Sequence, residues 1–176
     1  MKSLVSYRCL LSLGLVALLS ACSSLPSGGD SSSASKDIPQ LRGKTAIHQW
    51  VVKGTNIFSC ARDKKGYYWR YLNTSGVATN EAGKKVADLR PNNRFVTLSG
   101  TTIELRSPQL IARPSTKDLP DVLFEAQTYS SEPAYKDTLY VLRRQAEGGV
   151  PLDTCSPGQS RHQMKVNYTA KFVLWR

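Results

Sequence analysis

The sequence predicts an all-β fold: a single antiparallel sandwich or barrel-like domain with one disulfide, preceded by a signal peptide and a flexible tether. Three observations lead to this prediction. The C-terminus alternates apolar and polar residues, shorter segments of similar character recur with turns between them, and no window sustains a 3.6-residue apolar period.

The C-terminal segment is the clearest strand. Its apolar positions are Met164, Val166, Tyr168, Ala170, Phe172 and Leu174, and polar residues occupy most positions between them. A period of two places these side chains on one face of an extended strand, whereas a helix would scatter them. The segment therefore predicts a strand with one buried face.

Further β-rich segments occur at residues 45–52, 55–60, 66–73, 101–106 and 121–129. Gly, Pro, Asn and Asp residues separate them and mark turns. Strands at about this spacing are typical of a sandwich or a barrel. Ser107 to Pro120 contains three prolines and predicts a long surface connection.

The N-terminus predicts export and lipidation. Lys2 and Arg8 precede an apolar run that ends at Ala21, and this run of about a dozen residues is shorter than the roughly 20 that span a bilayer as a helix. Its end, Leu-Ser-Ala-Cys, resembles the bacterial lipobox, which implies acylation of Cys22. In lipoproteins of Gram-negative bacteria, an Asp after the lipidated cysteine commonly signals retention at the inner membrane. Ser23 occupies that position here, so the sequence favours the outer membrane and does not indicate which of its faces carries the protein. An ordinary secretion signal with an incidental Cys22 is the alternative.

Three regions follow from these features. We expect a lipoprotein signal peptide over residues 1–21, a lipidated Cys22 with a Ser/Gly-rich tether over 22–40, and the β-domain over 41–176. The tether contains too few large apolar residues to fold and predicts flexible coil.

The remaining cysteines predict one disulfide. Cys9 would leave with the signal peptide, and Cys22 would carry lipid, so Cys60 and Cys155 form an even pair in an oxidising compartment. A redox pair or metal site has no support, because the chain lacks Cys-x-x-Cys and its two histidines, His48 and His162, lie far apart in sequence. We therefore predict no metal and no cofactor.

The chain is strongly basic. It has 24 basic and 13 acidic residues, and loss of Lys2 and Arg8 with the signal leaves 22 against 13, a net charge of +9. Such a balance favours anionic partners, such as lipopolysaccharide, an acidic cell-wall polymer or an acidic envelope protein. A solubilising charge without a specific partner is the alternative. Nucleic acid is not an expected partner at this location, and the oligomeric state stays open.

Several motifs together resemble an uncharacterised family of exported bacterial proteins, known only as a domain of unknown function. The matching stretches are Gly54-Thr55-Asn56-Ile57-Phe58-Ser59-Cys60 with Arg62, Trp69, Leu142-Arg143-Arg144, Gly148-Gly149-Val150-Pro151, Cys155, and Tyr168-Thr169-Ala170-Lys171-Phe172. The middle departs, because residues 87–101 lack the His, Gly-Pro and Trp of that family. The resemblance implies an all-β fold and the same cysteine pairing, and it supplies no activity.

Candidate binding residues lie in the aromatic segment 66–73. Tyr68 and Arg70 share one face and could form a ligand surface, because an aromatic ring beside a cation suits stacking on sugars or bases. Packing of these aromatics in the core and over a partner strand is the favoured alternative.

The sequence carries no signature of catalysis. It contains no Gly-x-Ser-x-Gly and no His-Glu-x-x-His, and Glu104 and Glu125 fall on the polar faces of strands. We therefore predict a non-enzymatic binding or structural module, held at the membrane by its lipid. The alternative is a hydrolase of cell-wall polymers or a hydrolase inhibitor, the latter acting through a protruding loop at 107–120.

Overall fold

The computed structural model describes residues 38–130 and 132–176. The expected signal peptide, Cys22 and all but the last residues of the expected tether lie outside this part of the chain. Two short 3-10 helices occur, at Pro39–Leu41 and Pro157–Gln159. The eight strands are β1 (Ala46–Asp63), β2 (Gly66–Thr79), β3 (Lys85–Arg90), β4 (Arg94–Thr97), β5 (Thr102–Ala112), β6 (Asp121–Tyr129), β7 (Tyr140–Gly148) and β8 (Gln163–Trp175).

The strands form one closed antiparallel barrel. Each strand pairs with the next along the chain, and β8 returns to pair with β1 from Ala46↔Trp175 to Ser59↔Gln163. Closure leaves few unpaired backbone groups in the wall. The all-β prediction is confirmed, and of the two predicted architectures the chain adopts the barrel. No α-helix occurs among the described residues.

Strand β1 shows how the period of two builds the interior. Its buried residues alternate with more exposed ones, and Trp50, Val52, Asn56, Phe58 and Cys60 all face inward. The same alternation in β8 buries Tyr168, Ala170 and Phe172. The last residues of β8 are buried on both faces, because a second cluster covers the outer wall there.

That second cluster forms where the chain enters the barrel. Ile38 and Leu41 pack on the outer wall against Leu123, Leu142 and Val173. Burial of such side chains stabilises by about 1.5–3 kcal/mol each. Ile38 falls within the range expected as tether, so ordered packing begins before residue 41.

The wall of the barrel has unequal height. Strands β1 and β2 have 18 and 14 residues, whereas β3 and β4 have six and four. The β1–β2 and β5–β6 hairpins therefore project beyond the β3–β4 turn at one end. The expected surface connection over 107–120 is wrong in part, because β5 continues through Pro108 to Ala112. It continues because β5 remains paired with β6, with register shifts that accommodate the irregular residues.

Cys60 and Cys155 are bonded, with an S–S length of 2.07 Å and a Cα–Cα distance of 5.8 Å. The predicted disulfide is confirmed. It joins the projecting end of β1 to the connection between β7 and β8. Among the described residues, no helix combines the length and apolar character that a membrane span requires.

Candidate functional site

The projecting end of the barrel is hollow. We call this half of the molecule the hollow end and the other half the packed end. The cavity has a volume of about 350 Å³, within the range of small-molecule sites. Its walls are mainly apolar. The lining includes Phe58, Leu89, Leu105, Pro108, Val122, Phe124 and Phe172, together with Asn56, Tyr71, Thr74, Arg143 and Tyr168.

The packed end has an interior filled by aromatic rings. Phe95 lies between Trp50 and Phe172, with ring centroids 5.2 Å apart in both contacts and edge-to-face geometry. Tyr135 from the β6–β7 connection covers Trp50 at 5.9 Å. Edge-to-face contacts suit aromatic quadrupoles. The rings close this end and form the floor of the cavity.

Arg143 places a guanidinium in the apolar wall of the cavity. Its Nε and one terminal nitrogen donate to the carbonyl oxygen of Pro120 at 3.2 and 3.1 Å, and the group lies 5.8 Å from the ring centre of Phe124. No carboxylate among the described residues lies within 4 Å of it. Burial lowers the pKa of Arg143 from its ordinary value, because the cation loses hydration. The carboxylate of Asp121 acts on this cation only from a longer distance. A partly dehydrated cation without a close carboxylate attracts an anion.

Two tyrosines face the same space as Arg143. Burial raises the pKa of Tyr71 to about 12 and also raises the pKa of Tyr168, because both phenolates would lose hydration. The hydroxyl of Tyr168 is bonded to the hydroxyl of Thr74 at 3.0 Å. Tyr168 lies directly under Gly54, where a Cβ would stand 2.5 Å from the ring. Both phenols are neutral donors at physiological pH.

A cover formed by residues 113–120 folds over the axial opening of the hollow end. The backbone N–H of Leu119 donates to the carbonyl of Gly148 at 2.9 Å, and the carboxylate of Asp118 accepts from the N–H of Gly148 at 2.6 Å. Leu119 is buried and Pro120 lines the cavity. Inside, Asn56 donates its amide to the carbonyl of Gly149 at 2.9 Å. The cover is therefore tied to the β7–β8 connection.

The hollow end is basic. Its connections, residues 64–65, 91–93, 113–120 and 149–162, carry five basic and two acidic residues, a net charge of +3. The connections at the packed end, residues 80–84, 98–101 and 130–139, carry two basic and three acidic residues, but Arg42, Lys44 and Arg176 lie where the chain enters and leaves the barrel at that end and bring its net charge to +2. Both ends are therefore positive, and the charge of the hollow end attracts anions to the end that contains the cavity.

The lining of the cavity contains none of the residue types that usually act as bases or metal ligands. No Asp, Glu, His or Cys is among its described residues. In the described chain as a whole, no three such side chains gather closely enough to hold a metal ion. His48 lies at the packed end, where its Nε2 is 3.1 Å from the carbonyl of Ala134, and His162 is exposed in the β7–β8 connection. The site is suited to binding.

The predicted ligand surface lies outside the cavity. Tyr68 and Arg70 face outward from β2, and 39 % of Tyr68 is exposed. Tyr71, one strand position beyond Arg70, faces the cavity and packs edge-to-face on Phe58 at 5.8 Å. The aromatic segment thus contributes to both faces of the wall, and the structure does not bring Tyr68 or Arg70 together with Arg143.

Sequence reasoning missed Arg143 as a site residue. The only available signal was the alternation of a strand, which places Val141 and Arg143 on the same face of β7. Leu142 obscured this signal, because with Val141 on one face and Leu142 on the other, both faces carry an apolar residue and the inner one cannot be identified. Leu142 is buried outside the barrel, against Ile38 and Leu41.

Comparison with known proteins adds no relative. No family model, no curated protein and no solved structure matches the chain. The resemblance to the uncharacterised family stays a prediction.

Proposed function

We propose that this protein is a lipid-anchored, non-enzymatic binding protein of the outer membrane, and that its barrel takes up an anionic amphiphile. The observation that carries the proposal is Arg143, a cation in an apolar cavity with no carboxylate of the described chain within 4 Å. A ligand carboxylate or phosphate would complete its hydrogen bonding, and the apolar tail would occupy the space between Phe58, Leu105 and Phe172.

The cavity supports a small amphiphile over the larger anionic partners. Its volume of about 350 Å³ is near the lower end of the range for small-molecule sites. A polysaccharide chain or a protein surface could not occupy it. Apolar walls with a few polar groups at one place are the usual arrangement for binding a molecule with one polar head.

The proposed location rests on the N-terminus. A signal ending in Leu-Ser-Ala-Cys and a Ser/Gly-rich tether support an acylated Cys22 and a domain held near a lipid surface. Lipids and their breakdown products are abundant there. The positive hollow end favours approach to an anionic surface.

A hydrolase has less support. The titratable groups of the cavity are two tyrosines with raised pKa values and two arginines, Arg143 and Arg113, the latter from the cover. These groups are poor general bases at neutral pH. Glu104 lies on the outer wall and is bonded to Arg106. An inhibitor loop has less support too, since residues 113–120 fold back onto the barrel.

Binding of palmitate and of hexadecanol to delipidated full-length protein tests the proposal. Arg143→Leu should weaken palmitate binding by about tenfold or more, as expected for loss of a bond between charged groups. Arg144→Leu is the matched control. Arg144 follows Arg143 directly and precedes the bulge of β7, so strand alternation turns it away from the cavity, and it pairs with Lys171 of β8. Hexadecanol binding should be the same in all three proteins.

Two results would overturn the cavity site: equal binding of palmitate and hexadecanol by the wild type, or no loss of palmitate in Arg143→Leu. The anchor is tested separately. Metabolic labelling with a palmitate analogue should mark the wild type and leave Cys22→Ser unmarked, and an unmarked wild type contradicts lipidation.

A further inference from the structure

One part of the closed barrel keeps an open strand edge. Strand β2 pairs with β3 only from Gly76↔Leu89 to Thr79↔Lys85, whereas it pairs with β1 along almost its whole length. Gly66 to Tyr71 therefore pair on one side only, because the short β3–β4 hairpin does not reach them. We call this stretch the β2 edge.

The register identifies which backbone groups are free on the β2 edge. The N–H of Cys60 donates to the carbonyl of His162, on the side away from β2. Its partner Trp69 must then direct its own N–H and C=O away from β1, as in every non-hydrogen-bonded pair of an antiparallel ladder. Tyr67 and Tyr71 have the same parity. On this side the described chain offers these three residues no partner strand, because β2 pairs with β3 only from Gly76 to Thr79, and no turn or loop backbone group of the described chain bonds to them.

Because β3 and β4 are short, a gap in the wall separates the β2 edge from β5. The β5 side of this gap is protected against pairing with another strand, and the β2 edge is not. Across the β3–β4 turn, β5 presents Pro108, which has no N–H, and the N–H of Leu105 is already bonded to Asn93. Proline at an edge is a common defence against unwanted pairing. The β2 edge contains no proline, and the indole nitrogen of Trp69 is buried without a partner among the described residues.

The charge around the β2 edge indicates the kind of partner. Residues 60–72 carry four basic residues and one acidic residue. Arg70 faces outward beside the exposed Tyr68, and the guanidinium of Arg62 lies 5.4 Å from the ring centre of Tyr67. A strand added here would place alternate side chains beside Arg70. Acidic side chains at those positions would be attracted.

We propose that an extended, acidic segment of a partner protein pairs with Tyr67, Trp69 and Tyr71 as an additional strand. Backbone hydrogen bonds supply the affinity, and the contact with Arg70 supplies the preference for acidic side chains. This site also gives a role to Tyr68 and Arg70, which the cavity does not use. The two sites share Tyr71, whose backbone would pair with the partner strand and whose side chain lines the cavity, but the proposed strand does not contact Arg143.

Binding to the full-length protein is measured with three seven-residue peptides. The first alternates Val and Glu, the second replaces each Glu with Lys, and the third is the first with every amide N-methylated. The first should bind and should slow hydrogen exchange of the Tyr67, Trp69 and Tyr71 amides. The other two should bind at least tenfold more weakly.

Variants separate charge from fold and from the cavity. Arg70→Glu should reverse the preference between the Glu and Lys peptides, whereas Arg144→Glu, the matched control, should not. Arg143→Leu should leave peptide binding unchanged. The proposal is overturned if the N-methylated peptide binds equally well, if protection appears away from the β2 edge, or if the acidic peptide fails to bind at about 1 mM.

Discussion

The packed end and the hollow end of the barrel are built by the same strands and are filled differently. At the packed end, Trp50, Phe95 and Phe172 interlock, and Phe95 has no exposed surface. At the hollow end, the walls instead enclose about 350 Å³. An unfilled space in a core costs stability, because the groups around it lose contacts.

Buried polar residues occur at both ends of the barrel. Asn56 and Thr74 line the cavity together with Arg143, whereas Thr97, Thr101 and Thr138 are buried at the packed end. What distinguishes the packed end is its interlocked aromatic rings. The other half is held by the disulfide and by the bonds of the cover, which leaves its interior free for a ligand.

The largest effect should come from the disulfide. Cys60→Ser removes a cross-link between residues 95 apart, and the chain-entropy model assigns such a loop about 4–5 kcal/mol. Denaturant unfolding under oxidising conditions measures the loss. Mass spectrometry of the wild type should find no free thiol at Cys60 or Cys155. Two free thiols would show that something else holds the hollow end.

Truncation of one ring in each half compares the two interiors directly. Phe95→Ala should cost about 3–5 kcal/mol, because it empties a site that is packed on all sides. Phe58→Ala should cost about 1–2 kcal/mol less, since Phe58 already faces the cavity. Urea midpoints of the two variants provide the measurement. Equal losses would mean that the cavity is not a feature of the protein in solution.

A methyl group at Gly54 should disturb the hollow end alone. The new Cβ would stand 2.5 Å from the ring of Tyr168 and push it toward the cavity. Overpacking of this kind costs about 1–3 kcal/mol. Gly83→Ala is a control in open space, although its positive φ adds some strain. Thermal unfolding and palmitate binding should both weaken in Gly54→Ala, and unchanged palmitate binding would contradict the position of Tyr168.

The smallest effect should be the response of the hollow end to alkali. The pKa of Tyr71 is raised from 10.0 to about 12, so the unfolded chain loses this proton at a lower pH than the folded protein. The stabilisation is complete below pH 10 and is lost as the pH rises through the folded value. Because 45 % of Tyr71 is exposed, solvent reduces the effect and the decline should be shallow.

Absorbance at alkaline pH follows tyrosine ionisation. The wild type should show a late step near pH 12 that Tyr71→Phe removes. Tyr71→Phe should also flatten the fall in stability above pH 10. A normal titration of Tyr71 would show that water fills this side of the cavity.

Local pattern was sufficient to predict the disulfide and strand segments within β1, β2, β5, β6 and β8, but β3, β4 and β7 were not among the predicted segments. Alternation in β8 identified its inner face because that face meets one continuous core. The pairing of Cys60 with Cys155 followed from counting cysteines in a chain predicted to be exported. Pro108 misled the prediction of the 107–120 connection, since an edge strand tolerates proline where no ladder hydrogen bond is required.

The site depended on neighbours that are distant in sequence. Leu142 and Arg143 are adjacent, yet Leu142 packs under Ile38 outside the barrel and Arg143 lines the cavity inside. No local pattern predicts which face of β7 turns inward when the barrel closes. The space beside Arg143 is lined by residues of β1, β2, β5, β6 and β8, which come together only when the barrel closes.

The sequence by itself determined that this protein is made of strands, that two cysteines are available to join them and that its charge is positive, because these properties belong to residues and their spacing. Tertiary structure decided that the sheet closes, that one end stays hollow around Arg143 and that the β2 edge stays unpaired. These features depend on the lengths and registers of all eight strands around the ring. Because β3 and β4 are several residues shorter than their neighbours, the wall is incomplete beside the β2 edge at the end that contains the cavity.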